Sequence, residues 1–133
     1  MNLSPNIQID VGFASFDLFD TYLITTVKEG VVLGKQEMQI FSKVFEKYYG
    51  DRPFGYISNR INDYTVNPLY YKEVEKHSLN IVAIATLCFS EESFKTAVFA
   101  EQFFSWPHKA FYTLEECVSF VETEFEKYKK AGL

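Results

Sequence analysis

An alternating pattern of apolar and polar residues opens the chain and predicts a β-hairpin. Within residues 13–19, every even-numbered position is apolar, and the odd-numbered positions include Ser15 and Asp17. Residues 22–27 are rich in β-branched side chains, and Asp20-Thr21 supplies a tight turn between the two segments. The alternating residues 7–11 either lengthen the first strand or form a separate strand at its edge.

After residue 30 the apolar period changes from that of a strand to that of a helix. Met38, Phe41 and Phe45, followed by Tyr48 and Tyr49, fall on one face of a helix over residues 35–49, and Gly50 is its expected C-terminal stop. One face of this helix should therefore pack on the sheet.

The rest of the chain alternates strands with helices. The predicted elements are a buried strand over residues 54–58, a short helix beginning at Asn67-Pro68, a strand over 80–88, a helix capped by Ser90, a strand over 109–112 and a last helix capped by Thr113. Residues 80–88 are apolar on both faces, with Ile81 assigned to the face of Ala83 and Ala85, as in a central strand of a largely parallel sheet. This order predicts an α/β fold in which parallel strands follow the hairpin in one mixed sheet.

The apolar stripes also predict a core. The residues that we expect to be nearly fully buried are Phe41, Phe45, Ile57, Ile84, Val98, Val118 and Val121.

Length and composition indicate one globular domain. The chain has 133 residues, 47% of them apolar, and its longest near-continuous apolar run, residues 81–89, is too short to span a bilayer. Residues 1–6 lack the basic start and apolar block of a secretory signal, so we expect a cytoplasmic protein. Cys88 and Cys117 fit neither a disulfide framework nor a metal site, and both are expected to be buried thiols.

The charge pattern argues against nucleic-acid binding. The net charge is −5, and Arg52 and Arg60 are the only arginines. The one close group of basic residues, Lys127, Lys129 and Lys130, lies at a helix end, where cations interact favourably with the helix dipole. Aromatic residues are abundant instead, at 18% of the chain, and they must fill the core or line a groove.

The common catalytic and cofactor motifs are absent from the sequence. No two of the 6 glycines stand in the spacing of a phosphate-binding loop, and there is no G-x-S-x-G turn. His77 and His108 have no partner at metal-ligand spacing, so we predict surface or capping roles for both. We therefore expect no cofactor, no metal and no enzymatic activity.

One loop concentrates hydrogen-bonding side chains where an open α/β sheet places its binding crevice. It follows the predicted strand over residues 54–58 at its carboxyl end. Its candidate partner- or ligand-binding residues are Asn59, Arg60, Asn62, Asp63, Tyr64 and Thr65. The alternative is a structural loop in which Asn and Asp satisfy the turn and Arg60 pairs with a carboxylate. Trp106 either plugs the core or anchors a partner.

Several segments together resemble a known superfamily. They are Lys28-Glu29-Gly30-Val31, residues 53–60, residues 81–85, Glu101-Gln102-Phe103-Phe104 and Leu114-Glu115-Glu116. From about residue 12 to 127 the chain is similar to the SpoIIAA-like superfamily, which holds the STAS domains of anti-sigma-factor antagonists and the CRAL-TRIO lipid-transfer domains. The small stand-alone bacterial STAS-like members are the most similar. The resemblance implies a SpoIIAA-like sheet in nearly sequential strand order, with helices chiefly on one face.

The resemblance also bears on function. STAS switch proteins present a phosphorylatable Ser in a D-x-S-G-like turn, but that pattern is missing here, and Thr65 is only the nearest hydroxyl. We therefore expect a non-enzymatic STAS-like interaction or regulatory module that binds a protein partner or itself. The alternative is a carrier of a small apolar ligand such as a lipid. A cavity of several hundred Å³ would favour the carrier, and an apolar patch beside the loop would favour the interaction module.

Overall fold

The computed structural model describes residues 5–67, 69–77 and 80–132. In chain order the elements are β1 (Ile7–Asp10), β2 (Ala14–Leu18), β3 (Tyr22–Val27), β4 (Val32–Leu33), α1 (Lys35–Tyr48), β5 (Phe54–Asn59), β6 (Thr65–Val66), α2 (Leu69–His77), β7 (Ile81–Leu87), α3 (Glu91–Ala100), a 3-10 turn (Glu101–Phe103), β8 (His108–Phe111) and α4 (Leu114–Ala131). The predicted α/β class is confirmed.

Six strands form one mixed sheet in the order β1-β2-β3-β5-β7-β8. The first three are antiparallel, and β5, β7 and β8 run parallel to β3. The predicted hairpin, the sequential strand order and the parallel strands are therefore confirmed. The alternating residues 7–11 resolve into a separate edge strand, β1, which pairs with β2.

The sheet buries apolar side chains on both faces. On one face Phe16 and Leu23 pack with Phe41 and Phe45 of α1, and α2 and α3 lie on this side as well. On the other face α4 packs its apolar stripe, including Val121, against the sheet. Among the described residues, α1, α2 and α3 thus share one face and α4 covers the other, as the SpoIIAA-like resemblance implies.

The helix ends follow the predicted capping chemistry. The Ser90 hydroxyl accepts a hydrogen bond from the Ser93 amide at 3.0 Å, and the Thr113 hydroxyl accepts one from the Glu116 amide at 3.2 Å. After α1, Gly50 has a φ of +59°, a left-handed conformation that glycine adopts without steric cost.

A two-stranded sheet was missed by sequence analysis. β4 and β6 pair in parallel, with Val32 opposite Thr65 and Leu33 opposite Val66. Two residues are too few to display a period, so the pattern gave no sign of these strands. Their pairing ties the loop after β5 to the segment that precedes α1.

Two expectations are wrong, one about the face of a strand and one about burial. An irregularity in the pairing of β5 with β7 leaves Val82 as an extra residue, so Ile81 packs with Ile84 rather than with Ala83. Val98, predicted to be buried, is 45% exposed because α3 packs through Ala97 near the sheet edge. The other six predicted core residues are buried, and so are both cysteines.

No helix in the described parts of the chain is both long and apolar enough to cross a membrane.

Candidate functional site

A cavity of about 400 Å³ lies between the sheet and the three helices on its α1 side. Its lining is mainly apolar and aromatic. The residues that contribute include Met38, Phe41 and Phe45 of α1, Tyr71 and Val74 of α2, Ala97, Phe99 and Ala100 of α3, Phe104, Trp106, and Tyr56, Ser58, Ile84, Thr86 and His108 of the sheet.

The floor of the cavity is built by the two-residue period of neighbouring parallel strands. Tyr56 lies beside Ile84 in the register of β5 and β7, and Ser58 lies beside Thr86. Paired residues in a sheet share a face, so these four side chains point to the same side. The polar members are therefore set within an otherwise apolar floor.

Polar groups meet at the end of the cavity beyond the carboxyl end of β5. The hydroxyls of Ser58 and Tyr64 are hydrogen-bonded at 2.9 Å. The Arg60 guanidinium lies 4.3 Å from the centre of the Tyr64 ring, and its Nη2 donates to the Tyr64 carbonyl oxygen at 3.1 Å. Arg60 is thus held against its own loop by stacking and one hydrogen bond.

The predicted alternative, in which Arg60 pairs with a carboxylate, is not observed among the described side chains. Their ion pairs are Lys95 with Glu91, His108 with Glu101, and Lys127 with Glu124. Arg60, which is half-buried, therefore contributes a positive charge to the cavity wall.

Two further tyrosines, Tyr56 and Tyr71, lie in the cavity wall, and their hydroxyl groups are neutral. Burial raises the pKa of both Tyr56 and Tyr71 far above the usual value for tyrosine. Both phenols therefore keep their protons at physiological pH and can donate hydrogen bonds.

His108 is buried, which corrects the predicted surface or capping role. Its side chain is 2% exposed, with Nε2 2.9 Å from the Thr86 hydroxyl and Nδ1 3.1 Å from the Glu101 carboxylate. Burial lowers the pKa of His108, although Glu101 opposes this effect. The side chain of His77 lies outside those that the structure describes.

Three of the six candidate site residues line the cavity: Arg60, Tyr64 and Thr65. Asn59 faces away from it, and its amide donates to the Thr26 hydroxyl at 3.1 Å. In the loop that sequence analysis singled out, some residues therefore line the cavity and others make hydrogen bonds that hold the loop in place.

The other two candidates, Asn62 and Asp63, hold the loop in place. The Asn62 side-chain amide donates to the Val27 carbonyl oxygen at 2.9 Å. The Asp63 amide donates to the Glu29 carboxylate at 2.7 Å, and the Asp63 carbonyl oxygen accepts from the Gly30 amide at 2.7 Å. These bonds fix the backbone from which Arg60 and Tyr64 extend.

Most of the cavity lining was not identified from the sequence. One signal was present: Tyr56, Ser58 and Arg60 alternate along β5 and its extension, which places three polar-ended side chains on one face. Trp106 was noted only as a plug or an anchor, and it is half-buried in the cavity wall. The contributions of α3 could not be read from the sequence because they depend on how that helix packs.

Across residues 5–67, 69–77 and 80–132 the structure contains no cluster of three or more His, Cys, Asp or Glu side chains that could hold a metal ion.

Comparison with known proteins supports the fold alone. No protein-family model and no curated protein matches the chain. Among solved structures, it is similar to an uncharacterized protein of the DUF3478 family from Shewanella loihica PV-4, which has a SpoIIAA-like fold. The TM-score is 0.59 at 12% identity, over 90% of this chain and 99% of that protein. Together with the strand order described above, this similarity shows that the chain has a SpoIIAA-like fold.

Proposed function

We propose that this SpoIIAA-like domain is a non-enzymatic carrier of a small, mainly apolar ligand. The observation on which the proposal rests is the cavity of about 400 Å³ between the sheet and α1, α2 and α3. Ligand sites in proteins typically have volumes of about 300 to 1,000 Å³ and apolar walls with a few polar groups. The cavity has this size and this composition.

The apolar and aromatic composition of the lining suits a hydrocarbon chain. Phe41 and Phe45 contribute to one wall, and Phe104 and Trp106 contribute to another. The polar groups, which are the hydroxyls of Ser58 and Tyr64 and the guanidinium of Arg60, lie together at one end. Apolar surface transferred from water into such a cavity contributes about 25 cal/mol for each Å² buried. The lipid-transfer branch of the superfamily that the sequence resembles points to the same ligand class.

The hydrogen-bonded series Thr86, His108 and Glu101 has the residue types of a nucleophile, a base and an orienting acid. We assign it to structure because Thr86 is only 7% exposed, and each hydrogen bond satisfies a buried polar group. Hydrolysis of a decanoyl ester by the wild-type protein, abolished by Thr86→Val, would contradict the non-enzymatic assignment.

Ligand binding can be tested with the fluorescence of Trp106, which lies in the cavity wall and is the chain's single tryptophan. Decanol titrated into the protein should change this fluorescence saturably. The variant Ala100→Phe places a ring in the cavity and should weaken decanol binding at least tenfold. Val98→Phe, on the exposed side of the same helix, is the matched control and should bind as the wild type does.

Native mass spectrometry of protein purified from its own source provides an independent test. A non-covalent apolar molecule retained by the wild type and lost from Ala100→Phe would support the carrier. If decanol gives no saturable signal and no molecule is retained, the carrier proposal is wrong.

Binding of a protein partner, the function first expected from the sequence, is the second candidate. It is favoured by Ile61, which is 57% exposed in the middle of the otherwise polar loop after β5. A protein captured from the native source by the wild type but not by Ile61→Ser, with decanol binding unchanged, would support this candidate. The cytoplasmic location stays a prediction from the sequence.

A further inference from the structure

We propose that the ligand is an amphipathic acid whose monoanionic carboxylate binds the guanidinium of Arg60, with its hydrocarbon chain in the cavity. This inference rests on the proposed carrier function and specifies the chemical class of the ligand.

The first support for the proposal is the position of Arg60. Arg60 is half-buried and lines the cavity, and its guanidinium is fixed by the Tyr64 ring at 4.3 Å and the Tyr64 carbonyl oxygen at 3.1 Å. Of its five N–H donors, the described residues use one. A guanidinium held in this way loses little side-chain entropy when it binds a carboxylate through two parallel hydrogen bonds.

The second support for the proposal is the positive charge of Arg60. A partly buried cation in an apolar cavity is costly unless an anion or several acceptors compensate for the lost water. No described carboxylate lies within ion-pair distance of Arg60. A ligand carboxylate would supply beside Arg60 the negative charge that the described residues do not provide.

The surrounding hydroxyls favour a carboxylate over a phosphate. Burial and then Tyr64 raise the pKa of Tyr71, and the positive charge of Arg60 partly opposes this rise, so the phenol is a neutral donor in the same cavity wall as Arg60. One cation and neutral donors balance a single negative charge. A dianionic phosphate would leave a net negative charge in a cavity whose other walls are apolar.

The test compares ligands of equal chain length at neutral pH, with Trp106 fluorescence as the signal. Decanoate should bind the wild type at least tenfold more tightly than decanol, and decyl phosphate should bind more weakly than decanoate. In Arg60→Gln the advantage of decanoate over decanol should disappear. Arg60→Lys keeps the charge but loses the fork, so it should retain only part of the advantage.

Arg52→Gln is the matched control. Arg52 also lies over a tyrosine ring, that of Tyr49, and donates to the Tyr48 carbonyl oxygen at 2.7 Å, but it is not part of the cavity wall. Its replacement should leave the preference for decanoate unchanged. An equal loss in Arg52→Gln would show a general charge effect and overturn the assignment to Arg60.

The outcomes separate this inference from the proposed function. If decanol and decanoate bind the wild type equally, the carrier function holds and the acid assignment is wrong. Tighter binding of decyl phosphate than of decanoate also overturns the carboxylate assignment. If none of the three ligands binds, both proposals are wrong. These outcomes depend only on binding to the wild-type protein. The inference can therefore be tested even if Arg60→Gln folds poorly.

Discussion

Gly55 of β5 lies directly against Val121 of α4: a Cβ added to Gly55 would be 2.7 Å from the Val121 Cβ. This distance is shorter than two carbon atoms can tolerate, so glycine is what allows α4 to approach the centre of the sheet. Val121 is fully buried, and the β5 residue Ile57 packs in the same cluster. The close approach thus joins the last helix to the strand that leads into the candidate site.

Gly55→Ala should therefore destabilise the protein by about 1 to 3 kcal/mol through overpacking. Urea denaturation measures the loss. The variant Val121→Gly removes the Cβ that the added methyl group would meet, so the double variant should lose less free energy of unfolding than the sum of the single losses. Strict additivity would show that the two residues do not share this contact.

Truncation of Phe45 tests the core on the opposite face. Phe45 is 3% exposed and its ring contacts Phe16, Phe41, Phe54 and Tyr56. Phe45→Ala should reduce the free energy of unfolding by about 3 to 5 kcal/mol. Phe89→Ala, at a phenylalanine that is 55% exposed, should cost much less. A loss below about 1 kcal/mol at Phe45 would contradict its place in the core.

The sequence predicted the features of the fold that depend on local periodicity. Alternation identified the buried face of β2, and the stripe that includes Cys117, Val118 and Val121 identified the buried face of α4. Both patterns persist over enough residues to average out exceptions. The SpoIIAA-like strand order was available from the resemblance as well.

Errors arose where tertiary packing decides the outcome. The irregularity at Val82 changes which face Ile81 occupies, and it depends on the pairing of β7 with β5 rather than on either strand alone. Val98 is apolar and in register, but α3 packs close to the sheet through Ala97 and leaves Val98 exposed. Local sequence contains neither relationship.

Sequence analysis located only part of the candidate site, because the rest of the site also depends on tertiary packing. Arg60, Tyr64 and Thr65 line the cavity because they lie at the carboxyl end of a parallel strand, a rule that the sequence can apply. The burial of His108 follows from its contacts with Thr86 and Glu101, which are 22 and 7 residues away along the chain. Motif spacing does not identify such a contact.

His108 should make stability depend on pH. Burial lowers its pKa in the folded protein below the usual histidine value of about 6.5, which the unfolded chain retains. As pH falls below about 6.5, the unfolded chain binds a proton more readily than the folded protein does, so the free energy of unfolding decreases. This contribution is fully present above that pH.

Urea denaturation between about pH 8 and pH 5 measures the effect, which is at most about 1.4 kcal/mol for each pH unit and proton. His108→Gln keeps a hydrogen-bonding side chain but cannot be charged. It should show a shallower decrease below about pH 6.5 than the wild type. Identical pH profiles of the two proteins would contradict the lowered pKa.

Asn62 should stabilise the loop without binding the ligand. Its side-chain amide is committed to the Val27 carbonyl oxygen at 2.9 Å, and Asn62 does not line the cavity. Asn62→Ala should therefore reduce the free energy of unfolding by about 0.5 to 1.5 kcal/mol, the usual net contribution of one hydrogen bond. Decanol binding, measured at a temperature where both proteins are folded, should stay within about twofold of the wild type, because Asn62 does not line the cavity.

Asp63→Ala is the matched control in the same loop. The bonds of Asp63 to Glu29 and Gly30 use its backbone, so the exposed side chain can be removed without breaking them. We expect a change in stability within about 0.5 kcal/mol, as for most surface substitutions. If Asn62→Ala weakens decanoate binding as much as Arg60→Gln does while its stability is unchanged, Asn62 belongs to the binding site itself. Its hydrogen bond to Val27 would then give way to a bond with the ligand.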